Sequence, residues 1–165
     1  ASNCRKIIEK LNPNILTVAL FANNTEEEIT DILNTCNVHV LQFHGSESAE
    51  FCNQWKKPYW KAIPMADDIN PLEYAKIYNN AQAYLIDNFG TEKSGGSGKI
   101  FNWNTIPQGI DNKWILAGGL NTDNIQNAVS TTNIKSFDVS SGIEKYPGKK
   151  SKQKMKKFIK KLNKK

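Results

Sequence analysis

The chain has 165 residues, 39% of them hydrophobic, which is enough to bury one sizeable core; one domain spanning residues 1–165 is expected. No apolar run approaches the roughly 18 to 20 residues that span a bilayer, and the opening ASNCRKIIEK lacks a signal-peptide pattern, so a cytoplasmic protein without a membrane partner is expected. The formal charge of +6 suggests nucleic acid, yet Lys145–Lys165 holds 11 lysines and no acid, and residues 1–144 carry 11 basic and 16 acidic groups, a net of −5. A basic face confined to one terminal helix, without interleaved aromatics or a base-reading motif, reads as a solvated surface, and no specific nucleic-acid partner is expected.

In chain order, NCRKIIEKL reads as a helix and ILTVALF (Ile15 to Phe21) as the first strand. NTEEEITDILNTC follows, with acids in its first turn and Ile29, Ile32 and Leu33 at helical spacing. VHVLQF (Val38 to Phe43) is the second strand, and SESAEFCNQW predicts a helix opening on Ser46 with Glu47 close behind. Strands are expected at YWKAI (Tyr59 to Ile63), AYLID (Ala83 to Asp87), WILA (Trp114 to Ala117) and FDVS (Phe137 to Ser140). The terminal SKQKMKKFIKKL carries Met155, Phe158, Ile159 and Leu162 at helical spacing. The three cysteines, Cys4, Cys36 and Cys52, lack the paired spacing of a zinc or redox motif and read as free thiols; no metal is expected.

Alternation of strand and helix calls for parallel strands joined by crossovers. In such an architecture the carboxyl ends of the strands share one face, which gathers Gln42, His44, Asp87, Gly118, Gly119, Ser140, Ser141 and Gly142. Gly118 and Gly119 leave backbone N–H groups uncovered, and the helix-opening series Asn121, Thr122, Asp123 brings unpaired N–H groups and a positive dipole end to the same spot, which suits an anion. The glycine-rich stretch NFGTEKSGGSGKIFNW, between the fourth and fifth strands, is a candidate lid. An open dinucleotide-binding sheet is the competing architecture, but no GxGxxG follows the first strand. The two turns AGG and SSG on the last strands fit the phosphate site after strands seven and eight of a (β/α)8 barrel. On that count four strands precede them, and the chain holds strands three to eight of an N-terminally incomplete barrel.

LQFHGSE, LIDNFGTEKSGGSGKIFNW, ILAGGLNTDNI and FDVSSGIEKYPGKKS, in this order and spacing, resemble the phosphoribosylanthranilate isomerases of tryptophan biosynthesis across essentially the whole chain. The resemblance implies a TIM barrel that converts N-(5'-phosphoribosyl)anthranilate to the 1-deoxyribulose product by an Amadori rearrangement, without cofactor or metal. It implies Asp87 as the acid beside a lid containing Gly95, Gly96, Ser97 and Gly98. It implies phosphate on the N–H groups of Gly118, Gly119, Ser140, Ser141 and Gly142, and Gln42 and His44 toward the substrate, with Phe43 where the family usually has Leu. Asp138 and Glu144 match the pattern as well, either positioning the last loop or touching substrate. The family's Cys base and an Arg for the anthranilate carboxylate belong to units before residue 1, since Cys4 and Arg5 fall in the helix after the family's second strand. A sugar-phosphate-binding remnant without turnover is the alternative. The strand edge at Ile15 to Phe21 is then expected to be covered by self-association or by a retained N-terminal fragment.

Overall fold

The computed structural model describes residues 2–65, 69–88, 101–107 and 113–163. The chain divides into two compact units, Ala1–Ala62 with Ile77–Ala83, and Ile63–Lys76 with Tyr84–Lys165. Strand β3 (Tyr59–Pro64), helix α4 (Pro71–Ile77) and strand β4 (Ala83–Asp87) each have residues in both units.

The first unit begins with α1 (Ser2–Ile8), followed by β1 (Val18–Phe21), α2 (Glu26–Thr35), β2 (Val40–Phe43), α3 (Ala49–Asn53) and most of β3 (Tyr59–Pro64). β1 pairs parallel with β2 from Val18 opposite Val40 to Phe21 opposite Phe43, and β2 pairs parallel with β3 from Leu41 opposite Tyr59 to Phe43 opposite Lys61. α2 starts where it does because Thr25 and Glu28 form a reciprocal capping box, with three glutamates in the first turn facing the positive helix end. The core centres on Phe43, whose ring meets Phe21, Phe51 and Tyr59 at centroid distances of 6.2, 6.1 and 5.9 Å.

The expected helix start at Ser46 is wrong by two residues. Ser48 is the N-cap, its hydroxyl accepting from the Phe51 N–H, and Glu47 lies ahead of the helix with another task. The first strand is also shorter than its apolar run, since Ile15 and Leu16 stay outside it, about half exposed. Leu16, together with Ile7, Leu11 and Leu20, lines an apolar groove of about 440 Å³ between α1 and β1.

The second unit holds α4 (Pro71–Ile77) up to Lys76, β4 (Ala83–Asp87) from Tyr84, β5 (Trp114–Leu116), α5 (Ile125–Thr132), β6 (Ser136–Phe137) and α6 (Lys152–Leu162). β4 pairs parallel with β5, Tyr84 opposite Trp114, and β5 pairs parallel with β6, Ile115 opposite Ser136. β6 ends at Phe137 rather than Ser140 because β5 is only three residues long; one further rung, Asp138 N–H to Leu116 O at 2.8 Å, continues the ladder. Leu85, Ile86, Leu116, Ile125 and Ala128 are fully buried, and Phe158 anchors α6; Ile159, expected on the same apolar face, is 56% exposed.

A feature absent from the sequence reading is an antiparallel hairpin, β7 (Glu144–Tyr146) and β8 (Lys149–Lys150). Its turn, Tyr146-Pro147-Gly148-Lys149, has Pro at the second position and Gly148 at φ 79°, the arrangement a type II turn requires.

The parallel α/β class holds in both units. The three cysteines are free, Cys4 exposed and Cys36 and Cys52 buried; burial pushes the Cys52 thiol up to about 12. Among the described residues no helix is long and apolar enough to cross a membrane.

Candidate functional site

In the first unit Gln42 is buried on β2 and His44 follows the strand end, half-buried. The structure brings them together: the Gln42 amide nitrogen is 3.1 Å from His44 Nδ1, and the His44 N–H donates to Phe21 O at 2.8 Å. The turn after His44 rests on a buried ion pair. Glu47 accepts from the N–H groups of Asn23 (2.8 Å) and Gly45 (3.0 Å) and from Lys61 Nζ (3.0 Å), while Lys61 also donates to Gly45 O at 2.6 Å.

Burial alone raises the Glu47 carboxyl, but the hydrogen bonds from the Asn23 N–H and from Lys61 outweigh it and hold the group below its ordinary value. Asn23 Oδ1 in turn accepts from the N–H and hydroxyl of Ser46, and a Cβ on Gly45 would collide with that Asn23 side chain. Two loops that follow parallel strands are thereby locked to each other. Neither Lys61 nor Glu47 was singled out for this role from sequence, although a lysine inside the apolar run YWKAI is a signal, because a charge there must be paired.

In the second unit Asp87 closes β4, its carbonyl accepting from the Met65 N–H at 2.9 Å. Its carboxylate lies directly over the turn after β5: a Cβ on Gly118 would stand 2.7 Å from Asp87 Oδ1 and 3.0 Å from the Asn88 nitrogen. Gly118 and Gly119, at φ 78° and 66°, both meet a conformational requirement, and Gly118 meets a spatial one as well.

The helix after this turn does not begin at Asn121 as expected. α5 starts at Ile125, and the intervening residues form a turn closed by two asparagines. Asn121 Oδ1 accepts from the N–H groups of Asp123 (2.7 Å) and Asn124 (3.2 Å), and Asn124 Oδ1 accepts from the Asn121 N–H (2.8 Å). Both amide nitrogens donate to Gly119 O. Asx side chains compete well for such N–H groups, which displaces the helix start by a turn.

The turn after β6 packs on this one. Gly142 bridges Asn121, and a Cβ at Gly142 would run into Leu120 O, so only glycine lets the two turns approach. Ser140 and Ser141 are exposed beside them, and their carbonyls accept from Ile143 and Glu144 N–H groups. Lys150 Nζ reaches back to Ser140 O (3.0 Å), Ser140 Oγ (3.0 Å) and Glu144 Oε1 (2.8 Å). The hydrogen bond from Lys150 is the main reason the Glu144 carboxyl is held below its ordinary value.

In one unit Asp87 thus stands over Gly118, Gly142 packs on Leu120 and Asn121 of the same turn, and Ser140 and Ser141 are exposed beside it. Gln42 and His44 form a separate pair within the other unit. Asp138 is exposed on the way into the last turn, and Glu144 serves that turn through Lys150. The lid residues Gly95, Gly96, Ser97 and Gly98 lie outside the described residues. Among the described residues no group of three or more His, Cys, Asp or Glu stands close enough to hold a metal ion.

A carboxylate beside a glycine turn sets a proton carrier next to backbone that no Cβ covers, whereas the N–H groups of Asn121, Asp123 and Asn124, expected to be open to an anion, are taken by the two asparagine side chains. The family pattern of N-(5'phosphoribosyl)anthranilate (PRA) isomerase matches residues 1–161. The N-(5'-phosphoribosyl)anthranilate isomerase of Hahella chejuensis is 40% identical over 154 residues, which cover 93% of this chain and 72% of that protein. The phosphoribosyl anthranilate isomerase of Thermotoga maritima, a crystal structure, aligns with a TM-score of 0.82 at 32% identity over 97% of this chain and 78% of its own. Another isomerase structure, in complex with reduced 1-(o-carboxyphenylamino)-1-deoxyribulose 5-phosphate, aligns with a TM-score of 0.76 at 27% identity, covering 97% of this chain and 77% of its own. The chain belongs to the N-(5'-phosphoribosyl)anthranilate isomerase family, enzymes of tryptophan biosynthesis.

Proposed function

We propose that the protein isomerises N-(5'-phosphoribosyl)anthranilate with Asp87 as the general acid and the two turns, Gly118-Gly119 and Ser140-Ser141-Gly142, as the phosphate grip. The observation that carries this reading is the close approach of the Asp87 carboxylate to Gly118. In a ribose 5-phosphate only C4', C5' and O5' separate the ring oxygen from phosphorus, so a group that protonates that oxygen must stand beside the phosphate turn.

The step follows from this geometry. Asp87 gives its proton to the ring oxygen while the C1'–O bond breaks and the anthranilate nitrogen supplies the electron pair, leaving a protonated imine at C1'. A base removes the proton from C2', and those electrons flow through C1' to the nitrogen, giving an enol that tautomerises to the ketone of 1-(2-carboxyphenylamino)-1-deoxyribulose 5-phosphate. Protons balance across the sequence, and no cofactor takes part in it. Gln42 and His44 serve as substrate contacts. On the same reading the parallel strands are the third to eighth of a (β/α)8 barrel in a cytoplasmic enzyme without a specific nucleic-acid partner. The exposed apolar groove at β1 is then covered by self-association or by an N-terminal segment. Sedimentation of the chain as a lone monomer would remove both forms of cover.

The acid assignment is tested by Asp87→Asn in the full natural polypeptide. The expected result is a fall in kcat on the order of 10² to 10⁴, with affinity for a phosphorylated product analogue nearly unchanged. Wild-type turnover in that variant would take Asp87 out of the mechanism, and lost analogue binding would assign it to binding instead.

A further inference from the structure

We propose that Lys150 is a positioning residue for phosphate capture, acting through Ser140, an inference that rests on reading the turn after β6 as half of the phosphate grip. A lysine beside a phosphate turn would ordinarily be taken for a direct ligand, a point charge on the anion. The geometry argues otherwise. An ammonium has three donors, and three acceptors stand within 3.0 Å of this one: Ser140 O, Ser140 Oγ and Glu144 Oε1. Its donors are spoken for inside the protein, and its charge is offset by the Glu144 carboxylate at 2.8 Å.

What Lys150 does to Ser140 is directional. A hydroxyl has one donor and two lone pairs. With the ammonium on the lone-pair side of Ser140 Oγ, the hydroxyl proton turns away from the cation and is left to donate to an incoming anion.

The second contact acts through the backbone. In a trans peptide the C=O and the following N–H point to opposite sides, so pinning Ser140 O toward Lys150 aims the Ser141 N–H the other way. One side chain thereby sets two donors at the turn, the Ser140 hydroxyl and the Ser141 N–H. The hairpin makes this possible: its register places Lys150 opposite Glu144, and the Pro147-Gly148 turn returns the chain to Ser140, ten residues earlier. Lys154 Nζ fixes the same hairpin by donating to Glu144 O at 2.6 Å.

The test is a double-mutant cycle on the full chain, with inorganic phosphate as the probe and the backbone amides of residues 118–119 and 140–142 followed by NMR. Lys150→Met and Ser140→Ala should each weaken phosphate binding by about tenfold, the scale of one lost hydrogen bond to a charged group. The double variant should bind scarcely more weakly than Lys150→Met alone, because that change already releases the hydroxyl that Ser140→Ala removes. Lys150→Arg, which keeps donors and charge, should recover most of the affinity. Lys150→Met without effect, or losses that multiply in the double variant, would overturn the inference while leaving the phosphate turn in place. If phosphate moves none of these amides in the wild-type chain, the reading of the turn fails first and the role of Lys150 falls with it. Lys150 is 41% exposed, so its substitutions leave the core intact.

Discussion

Two lysine–glutamate pairs brace loops that follow parallel strands, one in each unit, and they differ in almost nothing but burial. Lys61 and Glu47 meet at 3.0 Å with side chains 0% and 3% exposed, whereas Lys150 and Glu144 meet at 2.8 Å with side chains 41% and 16% exposed. Distance therefore says little about what each contributes. Water screens the exposed pair, and its energetic worth is small. The buried pair has exchanged hydration for a fixed set of partners, so it costs little while complete and a great deal when half of it is removed. The first is suited to orienting a turn that must meet a solvated anion, and the second to holding two loops in a fixed relation.

The largest expected effect tests the buried pair. Lys61→Met leaves the Glu47 carboxylate without its cation and should lower unfolding free energy by about 3 to 5 kcal/mol, read by chemical denaturation. Adding Glu47→Gln should return much of that loss, because the orphaned charge goes while an oxygen remains for the Asn23 N–H. A loss under about 1 kcal/mol in the single variant would mean that water enters the pair and that the contrast in burial is not what matters.

Acid offers a gentler way to break the same pair. Since the folded Glu47 carboxyl lies below its unfolded value of about 4.3, its contribution is complete above that value and is lost as pH falls through the folded one. The acid limb of the stability profile should flatten in Glu47→Gln; an unchanged limb would assign the acid sensitivity to other carboxylates. The smallest effect belongs to the exposed pair: Lys150→Met should leave the denaturation midpoint where it was while weakening phosphate. A large drop in midpoint would make Lys150 a structural residue and blur the distinction between the two pairs.

Much of the layout was legible because parallel strands buried on both faces leave continuous apolar runs. All six runs overlap a strand, the last by Phe137 alone, and Asp87, Gly118 and Gly119 fall at or just after strand ends as read. Gly118 was legible as a conformational need, but its contact with Asp87 was not, since the two are brought together only by the pairing of β4 with β5. Ser46 was taken for a helix cap because the segment SES offers two serines with equal local chemistry. Tertiary demand decided between them: Glu47 is required by Lys61, from another strand, and the helix waits for Ser48. The start of α5 was misplaced for a local reason, the strength of asparagine side chains as competitors for helix N–H groups. Lys150 was invisible because its role depends on a hairpin two residues wide on one side, signalled only by Pro147-Gly148.

The central claim is that the turns after β5 and β6 form one phosphate-binding site beside Asp87. It is tested most directly by titrating the isotopically labelled chain with reduced 1-(o-carboxyphenylamino)-1-deoxyribulose 5-phosphate and following backbone amides. The account predicts that the amides of Gly118, Gly119, Ser140, Ser141 and Gly142 shift together along a single binding curve. Shifts confined to the lysine-rich α6, or movement of one turn without the other, would contradict it.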